Sequence, residues 1–131
     1  MDLMSPKSRG RPAGRGRQKT RRQGPPRPAR LSDRVIRHSV EIAGTTEVLD
    51  AERWASGWLG EAWYAAPLGD RDAEHNLCLE VVGRACTKPS PQGLAAVAAL
   101  RRVAAPVEHT LLDEAIEILT ADQPTPPWLH A

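Results

Sequence analysis

"PQGLAAVAALRRVA", residues Pro91 to Ala104, decides the fold. Apolar residues run around every side of a helix drawn through this stretch, apart from Arg101 and Arg102. A helix without a polar face belongs in the middle of a bundle. Ser90 stands in front as an N-cap, and Pro91 takes the first helical position that proline favours. Ala105-Pro106 ends the segment. The remaining elements follow as its neighbours.

Upstream, Asp33 to Ala43 places Val35, Ile36, Val40 and Ala43 on one broad face, with Gly44 as a stop. Thr45 and Thr46 are candidate caps for a second helix running to Ala66, where Pro67 breaks it. Its stripe is Val48, Ala51, Ala55, Trp58, Leu59, Ala62, Trp63 and Ala66, with Trp54 at the shoulder. Trp58 and Trp63 are therefore expected in the core. Gly57 and Gly60 fall opposite, where they weaken the helix and admit a close neighbour. A third helix starts near Asp70 and ends near Cys86, with Leu77, Cys78, Val81, Val82, Ala85 and Cys86 inward. Asp72, Asn76, Glu80 and Arg84 form its wet face.

Past the Pro91 helix, Val107 to Ala121 is amphipathic. Leu111, Leu112, Ala115, Ile116, Ile118 and Leu119 face in, and Asp113, Glu114 and Glu117 face out. "DQPTPPWLHA" closes the chain, held extended by Pro124, Pro126 and Pro127. No stretch alternates with period two. The expected class is all-α: about five short helices in an irregular antiparallel bundle or helical stack, over residues 31–131.

In front lies a different kind of sequence. Residues 1–30 hold ten Lys and Arg and one acid; residues 31–131 hold eight Lys and Arg and fifteen acids. The first part carries +9 and the second −7. Between Ser5 and Arg30 there is no Leu, Ile, Val or aromatic residue. Such a segment cannot bury enough surface to offset its ordering entropy, so a disordered basic arm is expected.

Arg9-Gly10-Arg11-Pro12 in that arm resembles the core of an AT-hook. The resemblance implies two arginines lying along the narrow, strongly negative minor groove of A·T-rich DNA. Lys7, Arg15, Arg17, Lys19, Arg21 and Arg22 would contact the flanking phosphates. Ala13-Gly14 stand where a strong hook has another basic residue. The plainer alternative is a polyelectrolyte arm that grips DNA or RNA phosphates without reading sequence.

No catalytic constellation stands out. His38, His75, His109 and His130 are scattered, and none sits in a hydrolase or metalloprotease motif. His75, Cys78 and Cys86 share one side of the third helix. Eight residues separate the cysteines, roughly 12 Å along a helix at 1.5 Å per residue. One zinc ion with bonds of about 2.3 Å cannot hold both, and they cannot form a disulfide. Both are read as small buried hydrophobes, and no metal or cofactor is expected. Glu52 sits at the stripe's edge, where an arginine such as Arg101 or Arg102 could meet it.

Two tryptophans are candidates for a protein partner. Trp54 lies on the shoulder of its helix. Trp128 follows the prolines and either folds back into a groove or is offered outward; folding back is preferred, because an exposed Trp invites association.

The body resembles a set of uncharacterised helical proteins from GC-rich bacteria. The resemblance rests on "LDAERWASGWLG" (Leu49 to Gly60), the alanine-rich "GLAAVAALRRVA" and "PPWL" (Pro126 to Leu129). It implies a helical fold and a cytoplasmic location, and brings no activity with it. In that family a further domain often follows the Pro-Pro-Trp element, which implies a short or truncated version here. The reading is a non-enzymatic binding module whose arm contacts nucleic acid, with no membrane association. The alternative is a protein-interaction scaffold that uses the acidic body.

Overall fold

Eight consecutive residues of the alanine-rich helix, Gly93 to Leu100, are buried. Every other α-helix packs around them. The computed structural model describes residues 30–130. Among these there are helices and turns and no strand. In chain order the helices are α1 (Leu31–His38), α2 (Val40–Ala43), α3 (Val48–Ala65), α4 (Ala73–Thr87), α5 (Pro91–Val103) and α6 (His109–Thr120). A 3₁₀ turn, Pro106–Glu108, stands before α6. The all-α class holds, with α5 as its axis. The arm read over residues 1–30 lies, apart from Arg30, outside the described residues.

Local chemistry sets the boundaries. The Ser90 hydroxyl accepts a hydrogen bond from Gly93 N at 2.9 Å, and Pro91 follows it, so α5 starts as expected. Small side chains let its neighbours come close. A methyl group placed on Gly93 would meet the Ala85 Cβ at 3.1 Å and its Cα at 3.3 Å. Here α4 rests almost directly on α5. Gly57 and Gly60 play no such part. Both are exposed, and a methyl group placed on either would meet nothing within 4 Å.

The first expected helix is broken in two. Ser39 is fully buried between α1 and α2, and its hydroxyl lies 2.6 Å from Ile36 O and 2.7 Å from Gln92 O. Its backbone N–H also bonds Ile36 O, a tightened turn. The break shifts the helical register. Val40, expected inward, points to solvent, and Ile42 enters the core in its place.

At the far end of α3, Pro67 stops the helix and Asp70 N–H bonds Pro67 O. Gly69 has φ +90°, a conformation that favours glycine in a tight turn. Two expected caps sit differently. Asp72, not Asp70, precedes α4, while Asp70 Oδ1 accepts from Asp72 N at 2.8 Å. Glu47, not a threonine, precedes α3, and Thr45 Oγ1 accepts from Glu47 N at 3.4 Å.

The core phase of α3 also differs from expectation. Ala51, Ala55, Leu59 and Ala62 are buried. Trp54 and Trp58 flank this stripe on the side of α1, half-buried and packed on the core. Trp63 lies on the opposite shoulder and is 48% exposed, so it is not a core residue. On α6, Leu112, Ala115 and Leu119 are buried, whereas Ile118 is exposed. The proline-rich tail is not extended throughout. It bends at Pro126, whose carbonyl accepts from Leu129 N, and carries Trp128 into the core.

Candidate functional site: the groove between α1 and α4

The N-terminus of α1 is tied to α4 through a buried hydroxyl. Ser32 is fully buried; its Oγ accepts from Arg84 Nε at 3.0 Å and donates to Glu80 Oε1 at 3.2 Å. Arg84 Nη1 also meets Asp33 Oδ1 at 2.9 Å. This chain of polar contacts joins the two helices beside their apolar packing. Toward the end of α4 they leave an open groove of about 870 Å³.

Arg30, Arg37, Arg84 and Lys88 line that groove, against Asp33 and Glu80. Arg30 and Arg37 stand at the start and the last turn of α1, and Lys88 just past α4. Arg84 is neutralised by Asp33, and Ser32 donates to Glu80. Two positive charges are left in excess. That excess is local, because residues 31–131 carry a net −7. Elsewhere the arginines of α5 are engaged: Arg101 with Asp113 at 2.7 Å and Arg102 with Glu52 at 2.9 Å. Glu52 thus meets one of the two arginines expected of it.

The expected partner tryptophans are placed separately. Trp54 meets Trp58 edge-on with ring centroids 6.2 Å apart. Arg34 lies over the Trp58 ring at 5.4 Å, and His38 stands 5.7 Å from it. Trp54 Nε1 is buried without a hydrogen-bond partner among the described residues. Trp128 is 1% exposed and donates through Nε1 to Ile42 O at 2.8 Å. It folds back, and as a buried side chain it presents no surface to a partner. The arm residues Lys7, Arg9, Gly10, Arg11, Pro12, Arg15, Arg17, Lys19, Arg21 and Arg22 lie outside the described residues.

A second polar cluster joins α4 to the 3₁₀ turn. His75 Nδ1 lies 2.8 Å from Oε1 of the buried Glu108. Glu74 Oε2 accepts from Ala105 N at 2.7 Å, and His109 Nε2 is 3.0 Å from Ala104 O. Cys78 is fully buried nearby. Burial above all, with the Glu108 and Glu74 carboxylates, pushes its thiol up to about 12. A thiol held protonated is a poor nucleophile. These contacts fasten a corner of the fold, and among the described residues no three His, Cys, Asp or Glu converge as metal ligands.

The two thiols should therefore react at different rates. In the native protein, a thiol reagent near neutral pH is expected to label the half-buried Cys86 well before Cys78. Peptide mapping after timed labelling checks this, and equal rates would contradict it. The linkage has a sign as well. The unfolded thiol ionises near 9 and the folded one near 12, so this contribution to stability is intact below pH 9 and lost as pH rises from there.

The sequence pattern does not single out Arg30, Arg37 and Lys88 as a group. Arg30, Arg34 and Arg37 do recur at helical spacing. Nothing in the linear pattern links them to Lys88, which reaches the same groove because α1 packs along α4.

No known protein family matches the chain, and neither does any curated protein or solved structure. No helix among the described residues is long and apolar enough to cross a membrane.

Proposed function

We propose that this protein is a non-enzymatic binding module whose basic arm contacts nucleic acid, mainly through phosphates. The observation that carries the reading is the division of charge, +9 in residues 1–30 against −7 in the remainder. An excess of this size in a short segment attracts a polyanion by counterion release without any folded site. The AT-hook-like Arg9 to Pro12 adds a means of favouring A·T-rich minor grooves.

Fluorescence anisotropy with labelled duplexes tests it, on the full chain and on a full chain with Arg9, Arg11, Arg15, Arg17, Lys19, Arg21 and Arg22 changed to Gln. If about six phosphates are neutralised, log K should fall with log salt at a slope near −5. The neutralised arm should lose most of that slope and at least tenfold in affinity at low salt. Binding indifferent to salt, or to the arm's charge, would sink the reading. The pair Arg9→Ala and Arg11→Ala separates a hook from a plain tail: a larger loss on A·T-rich than on G·C-rich duplex supports groove reading.

One observation favours a second reading, a protein-interaction scaffold. Trp63, Tyr64 and Leu68 are all exposed around the C-terminal end of α3. A large contiguous exposed apolar patch is the kind of surface that marks a protein contact.

A further inference from the structure

We infer that the groove between α1 and α4 is a phosphate-binding site that takes the backbone of the nucleic acid held by the arm. The inference rests on the proposed function and extends it from the arm to the folded body. Arg30, Arg37 and Lys88 supply the charge. Each lines the groove, and none has an ion-pair partner among the described residues. Arg84 is placed by Asp33 and Ser32, and is thereby a fixed wall of the groove.

Three observations choose the occupant. The first is sign: the groove has two more cations than anions on a body that is otherwise acidic, so an anion is drawn there and repelled elsewhere. The second is continuity. Arg30 lines the groove and is also the residue at which the basic segment joins α1. A strand gripped by residues 7–22 is thereby tethered to the groove through no more than eight further residues of sequence. The third excludes the nearest competitor: the arm shares the groove's charge and is not attracted into it. A groove of about 870 Å³, open to solvent, has room for a stretch of sugar-phosphate backbone.

Arg37 and Lys88 are exposed, so removing their charge should leave the fold intact. The experiment uses the full chain with Arg37→Gln and Lys88→Gln together. Its control, Arg53→Gln with Arg71→Gln, removes the same charge from two exposed arginines outside the groove. Circular dichroism melts verify folding, and anisotropy with a labelled duplex is read across a salt series.

The groove pair is expected to flatten the salt slope by about two units, close to 0.9 per lost phosphate contact, with a several-fold to tenfold loss of affinity at low salt. The control pair is expected to leave the slope unchanged. Duplex binding that the groove pair leaves untouched overturns the inference while the arm reading stands. Equal losses from both pairs reduce it to net charge and overturn it. Loss from the groove pair with no effect of arm neutralisation supports the groove and overturns the arm. Complete absence of duplex binding by the wild-type chain overturns both. With the arm-neutralised chain, displacement of the duplex by poly-glutamate as effective as by polyphosphate of equal charge assigns the groove to acidic protein and overturns the phosphate reading.

Discussion

Trp128→Ala is expected to lower the melting temperature by roughly 15–30 °C, the largest loss of any single tryptophan replacement in this protein. The indole is almost completely buried and joins the main core. Truncating a buried tryptophan costs about 3–5 kcal/mol, from lost transfer energy and the cavity left behind. A second loss adds to this. Ile42 O near the end of α2 loses its shortest bond, from Trp128 Nε1 at 2.8 Å, and keeps only backbone donors such as Thr45 N at 3.4 Å. Trp128→Phe separates the two contributions, since it keeps most of the packing and removes only the donor. It should fall between wild type and Trp128→Ala. Trp63→Ala is the internal comparison. Half-exposed on the outer shoulder of α3, it should shift the melting temperature by a few degrees at most. A larger loss for Trp63→Ala than for Trp128→Ala would contradict the packing described above.

Gly93→Val should be the most damaging small substitution on α5. A Cβ alone meets Ala85 Cβ and Cα at 3.1 and 3.3 Å, and the Ser90 hydroxyl at 3.3 Å. The contacts with Ala85 involve its backbone and a methyl fixed to it, neither of which can swing aside. Valine adds two more carbons at a branched position. Overpacking of this kind typically costs about 1–3 kcal/mol. Here it also strains the Ser90 cap, itself worth about 1 kcal/mol. A melting temperature lower by about 10 °C or more is expected, and thermal denaturation checks it. Gly93→Ala is the counterpart. The gain in helix propensity, up to about 1 kcal/mol, offsets the smaller displacement it demands. If valine is tolerated as well as alanine, then α4 and α5 are free to move apart.

How much of this could be read from the sequence depended on how sharply each helix is patterned. α5 was legible because its apolar residues leave no choice of face, and its Ser-Pro start is chemically explicit. Pro67 marked the end of α3 equally well. The phase of α3 was not legible. Alanines at 51, 55, 62, 65 and 66 share an arc of about 100° but carry a weak apolar signal, and Trp54, Trp58 and Trp63 widen it to about half the helix circumference, so each tryptophan could be rotated inward. The packing against α5, α4 and α2 settles it, putting Trp54 and Trp58 on one flank and Trp63 on the other. Ser39 was illegible for a different reason. A serine inside an apolar helix pattern is ordinary, and its role in breaking α1 from α2 depends on Gln92 O, which only the tertiary fold brings near. The cationic groove has the same origin, since Arg37 on α1 and Lys88 just past α4 come together only through the packing of α1 on α4.

The bond from Trp128 to Ile42 spans 86 residues of chain. Closing a loop of that length costs roughly 4 kcal/mol of chain entropy beyond a constant term. Helices α3 to α6, joined by short links, meet at far smaller separations and can assemble before it forms. The tryptophan then acts as a clasp fastened last. A clasp absent from the transition state hardly affects how fast the chain folds, but it governs how long the folded molecule survives before opening. Trp128→Ala is accordingly expected to speed unfolding while leaving the folding rate nearly unchanged, which stopped-flow kinetics checks.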